Sequence, residues 1–166
     1  DLGPRALYLA LERWAAERGE LALEASFISN VDPDDANGVL SGCDQETSLF
    51  VLVSKSGTTQ ETLANEALVR SWLGRRPGVD ASRHIVAVTS ETSPLARNAG
   101  YLDSFYIDDY IGGRYSATSA VGAVVLSLSL GPDAFKALLD GAADADRLAL
   151  EPDPTRNAAL LDAMLG

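Results

Sequence analysis

The chain has 166 residues, with 13 Lys and Arg against 24 Asp and Glu, a net charge of −11. That length suits one α/β domain, and 46% hydrophobic residues supply a core, which excludes a disordered or fibrous chain. The acidic balance, with a pI near 4.4 and only two lysines, Lys55 and Lys136, excludes a nucleic-acid partner, which needs clustered cations along phosphates. A small anionic ligand stays admissible, because a local site can be positive on a negative protein.

A single cysteine, Cys43, forms no internal disulfide and fits a reducing, cytoplasmic setting. With no His or base beside it, it reads as packing. The most apolar stretch, Ala117 to Leu130, is broken by Thr118, Ser119, Ser127 and Ser129. It is also shorter than the ~20 residues a bilayer requires, so no membrane partner is expected, and no signal peptide is visible.

In chain order, Leu2 to Arg18 predicts a helix, with Pro4 in the first turn and Gly19 as its stop. Glu24 to Asn30 (EASFISN) is a β-rich run. Asp32 to Leu40 is a capped helix. Ser48 to Val53 (SLFVLV) and His84 to Ser90 (HIVAVTS) are apolar runs, the pattern of strands buried in a parallel sheet. Thr59 to Leu73 is a helix between them. Ser93 to Asn98 is a short helix or turn, and Ser104 to Ile107 a last strand. Ser116 to Leu130 predicts a helix, with Ala117, Ala120, Val121, Val124, Val125 and Leu128 on one stripe and small residues, Gly122 among them, elsewhere. Asp133 to Leu148 and Thr155 to Leu165 are two more helices, joined by the EPDP linker at residues 151–154. The alternation predicts a three-layer α/β/α sandwich on a mainly parallel sheet.

Two loops carry the chemistry. Ser54-Lys55-Ser56-Gly57-Thr58-Thr59-Gln60-Glu61-Thr62 follows an apolar strand and opens a helix. A ligand in an open parallel sheet sits at the carboxyl ends of its strands, and a helix start offers free N–H groups to an anion. Gly57 admits close backbone approach, and four hydroxyls in six positions make a cradle for a phosphate monoester. The GxxxxGK[ST] order of a P-loop is absent. The same residues also read as a helix start, with Thr58 as N-cap and Glu61 closing a capping box. The second loop runs from Asp108 to Ser116 (DDYIGGRYS). Its glycines present Arg114, a fixed cation suited to a developing oxyanion, or else a turn in which Arg114 pairs with Asp108 or Asp109. His84, the only histidine, opens a strand and reads as structural.

At these loops the sequence resembles a known family. SKSGTTQET resembles the phosphate loop of sugar isomerase (SIS) domains, and DDYIGGRYSATSAVG is similar to the signature of the phosphoglucose isomerase family along its whole length. DLGPRAL at the start and RNAALLDAMLG at the end resemble the family in collinear order. Where the family often has Thr-Phe, this chain has Ser56-Gly57.

The resemblance implies a flavodoxin-like SIS domain over residues 1–150, with residues 151–166 leading toward a second SIS domain. It implies cofactor-free, metal-free interconversion of glucose 6-phosphate and fructose 6-phosphate, in glycolysis and gluconeogenesis, through a cis-enediol(ate). Ser54, Ser56 and Thr59 would hold the phosphate by hydroxyls, and Lys55, Ser56 and Thr58 by backbone N–H. Gly113 and Arg114 would face the sugar, with Arg114 the catalytic cation, and Gly57 and Glu61 would lie beside it. The family's base Glu, ring-opening His and Lys fall in later segments outside this chain. Glu61, in a helix's first turn, is a poor replacement. The family's Gly-Gly-Ser turn and the strand before it would precede Asp1. The expectation is therefore a piece of a longer, homodimeric enzyme, inactive alone, with the first, near-central strand outside these 166 residues. The alternatives are a non-catalytic SIS module sensing a sugar phosphate, and an isomerase that also takes mannose 6-phosphate.

Overall fold

The computed structural model describes residues 2–165. Three short parallel strands make the sheet: β1 (Phe50–Val53), β2 (Ile85–Thr89) and β3 (Asp103–Tyr106), in the order β1-β2-β3. Phe50 pairs with Ile85 and Val86 with Asp103. The strand β2 lies in the middle and all five of its residues are buried, as its apolar run predicts, whereas β1, with the same apolar pattern, stands at an edge of the described sheet with Leu52 buried and its other residues partly so. The β3 edge is mostly exposed.

Helices cover both faces. On one side, α2 (Pro33–Ser41) and α3 (Gln60–Leu73) contribute Leu40, Val69 and Leu73 to a cluster with Leu52, Ile85, Ala87, Leu95 and Tyr101. On the other, α4 (Ala120–Leu130) packs Val121 against Val88 and Ile107. The helix α1 (Leu2–Glu17) lies against α4, and α5 (Pro132–Ala149) packs on α4 and then on α6 (Ala158–Leu165). This is the α/β/α arrangement read from the strand–helix alternation.

Most of the predicted helices form within one to three residues of their predicted ends. Asp32 caps α2 by accepting from the N–H of Asp34 and Asp35 at 2.9 and 3.3 Å. Gly19 takes a φ of 68° just after α1, the left-handed geometry that glycine allows at a helix end. In the linker, Asn157 is buried. Its amide donates to the carbonyls of Ala149 and Glu151, and its oxygen accepts from Leu160 N–H, which fastens α6 to the end of α5.

Two expectations fail. The β-rich run Glu24 to Asn30 joins no sheet. It lies in a groove wall, held by Ala25 N–H on the Tyr8 hydroxyl at 3.0 Å and by the ring of Phe27 against Tyr8. A cavity of about 440 Å³ is lined by residues of this segment and of β1, so β propensity finds no adjacent ladder to join. The second failure is the start of α4. Residues Gly113–Thr118 form a 3₁₀ turn, and Ser119, extended at ψ −172°, restarts the chain as the N-cap of α4. The hydroxyls of Ser116 and Ser119 donate to the carbonyls of Gly113 and Ser116, both at 2.7 Å, and so break the α-helical ladder.

Gly122 is what lets the 3₁₀ turn fold back on α4. A Cβ built there would stand 1.8 Å from the Ala117 carbonyl oxygen, a backbone atom that cannot swing away. Gly122→Ala should therefore destabilise the protein by ~1–3 kcal/mol, the usual cost of overpacking, despite alanine's better helix propensity. Denaturant melts of the two proteins check this, and an alanine variant as stable as the parent would contradict it.

Candidate functional site

The carboxyl ends of the three strands lead into three loops, residues 54–59, 90–93 and 107–112, gathered at one edge of the sheet. The first loop begins at Ser54, which is buried. Its N–H donates to Val88 O at 3.1 Å, and its hydroxyl donates to Thr59 Oγ1 at 3.1 Å and accepts from Gly57 N–H at 3.1 Å. Ser56 Oγ accepts from both the N–H and the hydroxyl of Thr58. The loop is thus wound around its own hydroxyls, with Lys55, Ser56, Thr58 and Thr59 exposed at its surface.

The helix-start reading changes in detail. The N-cap of α3 is Thr59, not Thr58, and Thr59 makes no side-chain cap bond. Glu61 accordingly falls at the second helical position, and the capping box does not form. The reason is local: Thr58 is drawn back to Ser56, and the left-handed turn at Gly57 (φ 68°) lengthens the loop. The first N–H groups of any α-helix have no intrahelical acceptor, so those of Gln60, Glu61 and Thr62 point outward. Among the described residues, the N–H groups of Lys55 and Ser56 have no acceptor either. Hydroxyls, free N–H groups and a helix start together make an anion cradle.

Sequence reasoning misses the second loop. Thr89 Oγ1 donates to Ser54 O at 2.7 Å, and Ser90 N–H donates to Lys55 O at 3.1 Å, so β2 fixes the underside of the cradle. Ser93 caps the turn at Pro94–Arg97 by accepting from Leu95 N–H at 3.1 Å. A Cβ at Gly57 would come within 2.1 Å of Ser93 Oγ and 3.0 Å of Leu95 Cγ. Gly57 is therefore required both by its φ and by its neighbours. The available signal is the second Ser/Thr cluster, Thr89 to Ser93 (TSETS), at the end of an apolar strand.

The third loop carries Gly112, Gly113 and Arg114. Tyr115 N–H donates to Gly112 O at 3.0 Å, which closes the 3₁₀ turn that holds Arg114. Arg114 is exposed and makes no ion pair among the described residues, so the alternative in which it pairs with Asp108 or Asp109 does not occur. Asp108 instead accepts from the Tyr110 hydroxyl at 3.1 Å, and that hydrogen bond to a carboxylate pushes the Tyr110 pKa above its ordinary value. The third loop is joined to the first by Lys55, whose Nζ donates to Asp109 O at 2.7 Å and Ile111 O at 2.9 Å.

His84 stands at the amino end of β2, away from these loops, with Nδ1 at 2.9 Å from Ser48 O. A carbonyl only accepts, so Nδ1 carries the proton there. Cys43 places Sγ at 3.4 Å from Val39 O, at the end of α2. Among the described residues, no helix is long and apolar enough to cross a membrane.

Comparison with known proteins places this architecture. The family model for phosphoglucose isomerase matches residues 1–166. The chain is 61% identical over its full length to the glucose-6-phosphate isomerase of Treponema pallidum, and 56% identical to that of Treponema denticola. It spans about 31% of the length of these curated relatives. A crystal structure of a glucose-6-phosphate isomerase from Chlamydia trachomatis superposes with a TM-score of 0.89 at 46% identity, over all of this chain and 31% of that one. A hypothetical protein from Thermus thermophilus superposes at 0.71 with 34% identity, over 98% of this chain and 39% of that one. Sequence and architecture agree along the whole chain, which belongs to the phosphoglucose isomerase family.

Proposed function

We propose that this chain is the sugar-phosphate-binding part of a glucose-6-phosphate isomerase. The whole protein would interconvert glucose 6-phosphate and fructose 6-phosphate through a cis-enediolate, in the cytoplasm and as a homodimer. The observation that supports this most is the joining of two loops at one sheet edge. One offers free N–H groups and exposed hydroxyls. The other offers an arginine without an ion pair among the described residues.

In this reading the phosphate rests on the N–H groups of Lys55, Ser56 and Thr58, with Thr58 rotating away from Ser56 to admit it. The hydroxyls of Ser56 and Thr59 complete the cradle, and buried Ser54 holds Thr59 in place. Gly57 lets the loop close, Glu61 borders it, and Gly113 gives Arg114 room beside the sugar. The proton moves between C1 and C2 on a carboxylate that this reading assigns to the part of the protein beyond these 166 residues. Arg114 stabilises the oxygen charge that develops meanwhile. Residues 1–150 form the sugar-phosphate domain and residues 151–166 the connection onward.

A coupled assay tests this. The full-length protein should convert fructose 6-phosphate to glucose 6-phosphate. The 166-residue piece alone should show no turnover above a blank, because it lacks the general base, whose contribution to rate is ~10²–10⁴-fold. A full-length protein without turnover would refute the activity. Full turnover by the piece would place the base within it, with Glu61 the first candidate.

A further inference from the structure

The Lys55 side chain leaves the phosphate loop, crosses the end of β2 and ends on the third loop. Its ammonium donates to two backbone carbonyls, Asp109 O at 2.7 Å and Ile111 O at 2.9 Å. The neighbouring carboxylates do not hold it: no ion pair joins Lys55 to Asp108 or Asp109 among the described residues. The backbone of Lys55 is itself anchored, since its carbonyl accepts from Ser90 N–H at 3.1 Å. The two carbonyls belong to the turn closed by Ile111 N–H on Asp108 O at 3.1 Å, and the next residue, Gly112, starts the 3₁₀ turn bearing Arg114. Among the described residues, no other side-chain hydrogen bond joins residues 54–59 to residues 108–118.

We propose that Lys55 is a positioning residue, a tether through which the phosphate loop sets the place of Arg114. Its backbone N–H faces the anion cradle while its ammonium fixes the carbonyls that lead into Gly112–Arg114. One residue thus spans the part of the site that holds the phosphate and the part that meets the developing charge. A lysine suits this better than an arginine, because a compact ammonium can donate to two converging carbonyls at once, whereas a guanidinium presents a planar fork. The proposal rests on the isomerase reading for its kinetic consequence, but not for its structural one.

The test uses Lys55→Met in the full-length protein, a change that keeps the stem and removes the donors. Hydrogen–deuterium exchange of the Tyr110–Ser116 amides should accelerate at least tenfold, while the β2 amides stay protected. Unchanged exchange at 110–116 would overturn the tether whatever the activity. In the assay, kcat should fall at least tenfold and KM should move less than threefold. A lysine that acted only as a charge for the phosphate would instead raise KM at constant kcat, an effect restored by Lys55→Arg, and that result would overturn the proposal. In an Arg114→Ala background, Lys55→Met should cost less than a further threefold, because the tether acts through Arg114. Fully additive losses would also refute it. A wild-type protein without turnover would refute the isomerase reading, leaving the exchange result to decide the tether.

Discussion

Arg114→Ala in the full-length protein should lower kcat by ~10²–10³, the usual loss for one preorganised oxyanion partner, and leave KM nearly unchanged. The guanidinium is assigned to charge that exists mainly in the enediolate, and an interaction made only in the transition state appears in kcat when it is removed. The setting of Arg114 favours such a role. It sits on a turn closed by Tyr115 N–H on Gly112 O, and no carboxylate among the described residues engages it. Arg114→Lys should recover only part of the rate, since a flexible ammonium replaces a planar fork. Steady-state kinetics of the three proteins decide the matter. A tenfold rise in KM at constant kcat would make Arg114 a clamp on the ground-state substrate.

Gly57→Ala should act on the opposite parameter. Its φ of 68° costs an alanine roughly 1–2 kcal/mol. The added Cβ would also stand 2.1 Å from Ser93 Oγ. The loop must shift, and with it the N–H groups of Lys55, Ser56 and Thr58 that would receive the phosphate. The phosphate is the same in ground and transition states, so KM should rise at least tenfold and by a larger factor than kcat falls, the loss in kcat being only what the shifted Lys55 passes on to Arg114. Ser93→Gly in the Gly57→Ala background removes the hydroxyl that the methyl strikes and should recover part of the affinity, but not the part due to φ. A Gly57→Ala protein with wild-type KM would show that this loop does not carry the phosphate.

The three strands and the helices are legible in the sequence because apolar runs such as HIVAVTS and capping residues such as Asp32 report local physics. The run EASFISN misleads for the same reason. Its β propensity is real, but a strand needs a neighbour, and none lies beside residues 24–30 among the described residues. The start of α4 is hidden because the apolar stripe continues through Ala117. Periodicity does not register that the hydroxyls of Ser116 and Ser119 take backbone carbonyls. At the site, the Ser/Thr loop and the Gly-Gly-Arg segment can be seen one at a time. What joins them is tertiary: Thr89 under Ser54, Ser93 against Gly57, and the Lys55 ammonium on carbonyls more than fifty residues away. A capping box also fits the letters TTQE, and only the turn at Gly57 moves the N-cap to Thr59.

The central claim is that the loop of residues 54–59 holds a sugar phosphate. A crystal structure of the full-length protein with saturating fructose 6-phosphate tests it most directly. The phosphate is predicted within hydrogen-bond distance of the N–H groups of Lys55 and Ser56 and of the hydroxyls of Ser56 and Thr59. A competing pair of cations is Arg75 and Arg76, beyond the end of α3, where Arg76 already donates to Glu46 Oε1 at 2.9 and 2.8 Å. A phosphate ordered at that pair, with the 54–59 loop free of ligand at the same concentration, would contradict the account.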